Sequence, residues 1–199
     1  MVALEPLSMS LPAGEAVALL GRNGAGKTTA LRIVSTLVAP SSGTVLVFDE
    51  DASRSPCAVR AMLGVSLCSE RSFYWRLTSR HNLTFFARLN GVRGARASGQ
   101  IVRLAAELDI ERFLDRPVRA LSRGALARLS FARACLGRPA LFLLDEPFAS
   151  VDERGRHLML RALRRRLEDG AAAVIATHDR LVAEACERVT VLSPGRSLC

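Results

Sequence analysis

Apolar residues along this chain follow two spacings. Residues 17–20, 140–144 and 171–176 are unbroken apolar runs. They are short enough for strands and apolar enough to be buried on both faces of a parallel sheet. Helical spacing follows the first run: Ala30, Leu31, Ile33, Val34 and Leu37 recur from Lys27 onward, and Pro40 with Ser41, Ser42 and Gly43 predicts the stop. Leu126, Leu129, Ala132, Cys135 and Leu136 form a second helical series, with Ser122 placed to cap its first turn. The stretch VRGARASGQ, residues 92–100, reads as a flexible turn region. Buried strand runs alternating with helices predict an α/β fold built on a parallel sheet.

The polar residues that end each apolar run carry the chemistry. Gly21, Arg22, Asn23, Gly24, Ala25, Gly26, Lys27, Thr28 and Thr29 join the first run to the first helix and fit the phosphate-binding pattern G-x-x-x-x-G-K-[ST]. Its glycines let backbone N–H groups turn inward around phosphate oxygens, and the helix N-terminus adds its positive dipole end. Lys27 is the only lysine among 28 lysines and arginines. A compact ammonium suits the slot beside the β and γ phosphates, where a planar guanidinium is too broad. The Thr28 hydroxyl is a candidate ligand for Mg²⁺. The second run ends in Asp145, Glu146 and Pro147, and the third is followed by Thr177, His178 and Asp179. Strand ends of an open parallel sheet converge on one edge. Asp145 is therefore the candidate metal ligand, Glu146 the general base or water-orienting carboxylate, and His178 the γ-phosphate contact. His81 and His157 have no such setting and read as ordinary.

Composition narrows the classes. No apolar run in the 199 residues approaches the ~20 that a bilayer-spanning helix needs. The N-terminal MVALEPLSMSLPAGE lacks a basic lead and contains Glu5, Pro6 and Pro12, unlike a signal peptide. A cytosolic chain is the expectation. Five cysteines at 57, 68, 135, 186 and 199 form no Cys-x-x-Cys pair, so buried free thiols are expected rather than a zinc site or a disulfide frame. The net charge of +9 comes from arginine. It fits either an acidic partner or a general use of arginine on solvated surface.

With these pieces in order, the whole chain resembles the nucleotide-binding subunit of an ABC transporter. LSRGALARLSFARACLGRPALFLLDEPFASVDERG, starting at Leu121, is similar to that family's run from its signature through strand-Asp-Glu to its D-loop. Ser122 and Gly124 match the signature's serine and second glycine, Arg123 stands at its first glycine, Asp152 matches the D-loop aspartate, and His178 matches the switch histidine. The resemblance implies a P-loop NTPase core with a parallel sheet flanked by helices and an inserted helical subdomain. Residues 1–69 and 138–199 would form the core, and 70–137 the helical lobe. It also implies ATP and Mg²⁺ as cofactors and a head-to-tail dimer with a second copy or a homologous subunit. In that dimer the signature of one subunit, Ser122 to Gly124, meets the ATP of the other. The partner would be an integral membrane permease, with the chain on the cytoplasmic face of the membrane. SLCSERSFYWRLTSRHNLTFFARLNG is most similar to ATPases of ABC-2-type exporters. Its Phe73, Tyr74 and Trp75 among Arg71, Arg76 and Arg80 suit either a permease contact surface or local core packing.

Three departures stand out. The Q-loop glutamine is missing: Ser69 or Glu70 occupies its place, Glu70 is the candidate substitute metal ligand, and Gln100, the only glutamine, lies in the helical region. Arg123 and Ala125 replace a glycine and a glutamine of the signature. No aromatic residue stands within residues 1–16 to stack on adenine. Two rival readings stay open: a soluble ABC-type ATPase acting on nucleic acid, and an ATP-binding scaffold with weak turnover. The absence of a long coiled coil, a zinc cysteine pattern and a second nucleotide domain in this sequence argues against nucleic acid.

Overall fold

The computed structural model describes Leu4, residues 6–67 and residues 72–192. In chain order the main elements are β1 (Ala16–Leu20), α1 (Lys27–Val34), β2 (Leu46–Val47), β3 (Glu50–Asp51), α2 (Pro56–Ala61) and β4 (Leu63–Ser66). They continue with α3 (Ser79–Leu89), α4 (Gly94–Glu107), α5 (Arg123–Ala134), β5 (Leu141–Asp145), α6 (Glu153–Glu168), β6 (Ala172–Thr177), α7 (Arg180–Glu184) and β7 (Arg188–Val191). Five parallel strands form the main sheet in the order β4-β5-β6-β1-β7, and β2 and β3 make a small antiparallel ribbon.

Each central strand alternates between two buried faces, as the period-2 geometry of a strand requires. Leu141 and Leu143 of β5 join Val174 and Ala176 of β6, Val17 and Leu19 of β1, and Ala30 and Leu31 of α1 in one apolar cluster. Phe142 and Leu144, with Ala173 and Ile175, face the opposite side. There they meet Leu83 of α3, Ile101 and Leu104 of α4, Leu129 of α5, and Met159 and Leu163 of α6. The unbroken apolar runs in the sequence follow from this: helices cover both sides of the sheet at its centre, so nearly every position of β1, β5 and β6 is inside, whereas the edge strand β7 is largely exposed. Because all five strands are parallel, the segments leaving the C-terminal ends of β1, β5 and β6 emerge on one edge, where β4 also ends; Ser69 and Glu70 lie outside the described residues.

Three sequence expectations need correction. Residues 94–100 are not a flexible turn but the first half of α4. Ala97, Ile101, Leu104 and Ala105 line a buried stripe on that helix, and tertiary burial overrides the low helix propensity of Gly94 and Gly99. Helix α1 stops at Val34, before Leu37. Thr36 turns to φ 61°, Thr36 N–H donates to Ile33 O at 3.0 Å, and Leu37 N–H donates to Arg32 O at 2.9 Å. This is a left-handed cap that leaves Leu37 64% exposed. Of the three cysteines described, only Cys135 is buried: Cys186 is half-buried and Cys57 exposed. Burial pushes the Cys135 thiol up to about 12 and the Cys186 thiol up to about 11, so both remain protonated.

Candidate functional site

The loop after β1 is shaped around one ammonium. Leu20 pairs with Thr177 across the sheet, and the next residue, Gly21, donates its N–H to Thr177 O at 3.4 Å. Gly24 and Gly26 take φ values of 84° and 89°, which side chains with a Cβ adopt only under strain. Gly26 is the N-cap of α1, and the following residue is Lys27. The Lys27 side chain folds back into the loop and is only 6% exposed. Its Nζ donates to Gly21 O at 2.6 Å and to Arg22 O at 3.3 Å. Its one carboxylate partner among the described residues, Glu146, stands at 3.9 Å, so the charge is only partly compensated and a polyanion entering the loop would complete its neutralisation. Arg22, Asn23 and Gly24 lie exposed at the loop's mouth, Ala25 is buried beneath it, and Thr28 and Thr29 are half-buried at the start of the helix.

Residues from β5 and β6 meet that loop. The Thr28 hydroxyl donates to Asp145 Oδ2 at 2.7 Å, across 117 residues of sequence. Glu146 lies 3.9 Å from Lys27 Nζ. Its Oε1 is 2.7 Å from His178 Nδ1, and its Oε2 accepts from the Thr177 hydroxyl at 3.3 Å. Glu146 also takes φ 45°, a left-handed backbone for a side-chain-bearing residue, and its N–H is fixed on Ala176 O at 2.9 Å. Lys27, Thr28, Asp145, Glu146 and His178, predicted from three separate stretches, thus form one cluster. Thr177 was placed at the strand tip by sequence but given no role, and its hydroxyl fixes one oxygen of Glu146.

Burial raises the Asp145 carboxyl above the usual carboxylate range; the neighbouring Glu146 charge adds to this, while the Thr28 hydrogen bond and the Lys27 and Arg32 charges oppose it. A hydroxyl and a carboxylate this close supply the hard oxygen donors that Mg²⁺ takes. Among the described residues they do not belong to a larger His, Cys, Asp and Glu cluster. The residues present therefore fit the metal. The raised Asp145 value has a stability consequence. Between the ordinary and the raised value the folded chain holds more proton than the unfolded one, so this group's contribution to stability falls as pH rises through that window. Asp145→Asn is expected to give a ligand-free chain with an unfolding midpoint at pH 7 equal to or above that of the wild type, with the difference shrinking toward pH 4. Urea denaturation at the two pH values checks it.

Ser122, Gly124 and Asp152 form a second group. Ser122 caps α5, its Oγ accepting from Ala125 N–H at 3.3 Å, and Asp152 caps α6, its Oδ1 accepting from Gly155 N–H at 2.8 Å. A Cβ on Gly124 would stand 2.8 Å from Ser150 O, so glycine is what lets these two turns touch. Arg123 opens α5 beside them. Glu70 lies outside the described residues. Gln100, set aside in the sequence, fastens the C-terminal end of α5: its Nε2 donates to Cys135 O and its Oε1 accepts from Gly137 N–H, each at 3.3 Å. Sequence gave no role to Asn82, which is fully buried and holds the aromatic loop. Its side chain accepts from Tyr74 N–H at 2.9 Å and donates to Tyr74 O at 3.1 Å and Thr78 O at 3.0 Å. The aromatics themselves divide: Phe73 belongs to the core, whereas Tyr74 is 52% and Trp75 43% exposed.

Residues 4–149 match the family described as ABC transporter. The mouse ABC-type organic anion transporter ABCA8A is 35% identical over the full chain. Nod factor export ATP-binding protein I of Paraburkholderia xenovorans (strain LB400) is 34% identical over 98% of it. The chain spans 12% of the length of the mouse protein and 64% of the bacterial one. Among solved structures, the dimeric post-hydrolysis state of the ATP-binding cassette MJ0796 bound to ADP and Pi superposes with a TM-score of 0.88. It is 26% identical, with 97% of this chain and 87% of that one covered. Family match, fold and site agree: the chain belongs to the ABC transporter family, as one of its ATP-binding cassettes.

Proposed function

We propose that the chain is the ATP-hydrolysing subunit of an ABC-2-type exporter, working on the cytoplasmic face of a membrane through a separate integral permease. The observation that carries the motor reading is the convergence of Lys27, Thr28, Asp145, Glu146 and His178 on one sheet edge. Residues 21–29 would hold the phosphates of ATP, with Lys27 as the fixed cation. Thr28 and Asp145 would hold Mg²⁺, which when bound neutralises charge on the phosphate oxygens. Glu146 would orient the attacking water and take its proton, while His178 fixes that carboxylate and faces the γ-phosphate. Residues 1–69 and 138–199 would serve as the nucleotide core, and 70–137 as the lobe that reports to the permease.

The export direction has the support of the bacterial relative's name and of the aromatic loop. Leu77, His81, Thr84, Phe85 and Arg88 line an open groove of about 380 Å³ beside Tyr74 and Trp75. An apolar floor with a basic rim suits a short helix offered by a membrane partner. Among the described residues no helix is long and apolar enough to cross a membrane. A head-to-tail dimer would place Ser122, Arg123 and Gly124 of one copy on the ATP of the other, beside Asp152. Sedimentation of the Glu146→Gln variant tests this: ATP is expected to convert monomer to dimer, and a monomer that binds ATP without dimerising would count against the closing step.

A further inference from the structure

Arg133 occupies the last turn of α5, the helix that begins at Ser122. By composition it is one more arginine, yet it is half-buried, and loss of solvent around the guanidinium pulls it down to about 10. It remains a cation at neutral pH. Among the described residues its contacts are carbonyls, one hydroxyl and two aromatic faces. Nη1 donates to Ser72 O at 3.0 Å, and Nη2 donates to Val65 O at 3.4 Å and to Ser130 Oγ at 3.5 Å. The cation lies over the Phe73 ring at 4.7 Å and the Phe86 ring at 5.0 Å.

Those partners sit on both sides of one loop base. Val65 is in β4, near the C-terminal end of that strand on the nucleotide edge of the sheet, and Ser72 is the next described residue after 68–71, which lie outside the described residues. One guanidinium therefore staples the two ends together and fastens them to α5. One turn back, Ser130 repeats the attachment, its hydroxyl 2.8 Å from that of Ser66. On its other side Arg133 meets a ladder of rings that leads outward. Phe73 packs edge-on against Phe86 at 6.0 Å, Phe86 against Phe85 at 5.2 Å, and Phe85 against Tyr74 at 5.1 Å. Tyr74 and Phe85 are exposed, and Phe85 lines the groove described above. The adjacent Trp75 is tied to the run-up to Ser122, its carbonyl accepting from Arg119 N–H at 3.2 Å.

We infer that Arg133 is a positioning residue that couples the nucleotide edge of the sheet, through Val65 and Ser72, to the exposed aromatic surface of Tyr74, Trp75 and Phe85. The inference rests on the ATP-binding reading of the site. A guanidinium suits the post: its two Nη atoms reach two separate carbonyls while the cation stays within 5.0 Å of the Phe73 and Phe86 ring centroids, a fork that a lysine ammonium lacks. Packed elements with two discrete arrangements carry such coupling, and here the staple makes loop base, α5 and ring ladder move together.

Trp75 is the only tryptophan in the chain, so tryptophan emission reports on the one position next to Tyr74, at the outer end of the ladder. The experiment adds a non-hydrolysable ATP analogue with Mg²⁺ to the full chain, with binding measured separately by calorimetry. In the wild type, binding is expected to change Trp75 emission. Arg133→Lys is expected to keep its affinity for the analogue and to lose most of that change per bound nucleotide. Phe86→Leu, which removes one ring face and keeps an apolar side chain, is expected to lose part of it, and decides the matter if Arg133→Lys does not fold. A variant with lower thermal stability but an undiminished emission change would make Arg133 merely structural and overturn the inference. So would a wild type that binds the analogue with no change at Trp75. A wild type that does not bind at all would remove the functional reading first, and this inference with it.

Discussion

Lys27→Arg is expected to weaken ATP binding as severely as Lys27→Ala, by at least about a hundredfold, or about 2.7 kcal/mol. The first substitution keeps the charge and the second removes it, so equal losses would show that shape is what matters. The slot leaves little room for a larger head group: the side chain is 6% exposed, and Nζ already stands 2.6 Å from Gly21 O and 3.3 Å from Arg22 O. A guanidinium is wider and planar, and would have to push the loop carbonyls outward or leave the slot. The sequence adds its own argument, since a chain that uses arginine at every other basic position keeps lysine here. Stability is expected to move differently. Lys27→Met removes a buried cation whose nearest carboxylate is 3.9 Å away, so the ligand-free chain should lose little or nothing in unfolding free energy. Calorimetric titration with ATP and urea denaturation of the three variants separate the two effects. Lys27→Arg binding ATP within a few-fold of wild type would show that the pocket reads charge and not shape.

The parts of this molecule that could be read from sequence are those in which local pattern and tertiary role coincide. Residues 140–144 and 171–176 are apolar throughout because the sheet is covered on both faces, and their polar tips are the ligand edge because parallel strands end together. Ser122 was legible as a cap because its role is met within its own turn. Residues whose role lies across the fold were not legible. Arg133 looks like any surface arginine until Phe73 and Phe86 are folded over it. Asn82 has no local signature for the three loop residues it holds. General use of arginine on solvated surface describes Arg161 and Arg164 of α6, since both are exposed. Arg166 is different: its Nη1 and Nη2 reach the two oxygens of Glu107 at 3.2 and 2.8 Å, an ion pair that ties α6 to α4. Glycine content misled at residues 94–100, because the apolar stripe beyond them decides the helix.

Glu146→Gln is expected to lower kcat for ATP hydrolysis by about 10²–10³, within the range of a lost general base, while KM for ATP stays within a few-fold. Glutamine keeps the shape of the side chain and loses the ability to take a proton from water. The surroundings are built to hold that carboxylate still. The Thr177 hydroxyl donates to one oxygen at 3.3 Å, His178 sits 2.7 Å from the other, and the backbone at φ 45° aims the residue inward. A left-handed conformation at a side-chain-bearing residue costs on the order of 1 kcal/mol, and it persists because Ala176 O holds the peptide N–H. His178→Ala should therefore act through the same carboxylate and also lower kcat, by about 10–10². The two substitutions should not add: once Glu146 is glutamine, removal of His178 is expected to cost much less, because their shared hydrogen bond has already lost its catalytic partner. Phosphate-release kinetics of the two single variants and the double variant measure that cycle. Multiplicative losses would mean that His178 acts on the γ-phosphate independently of Glu146. A Glu146→Gln variant that kept a third of wild-type kcat would move the general base elsewhere.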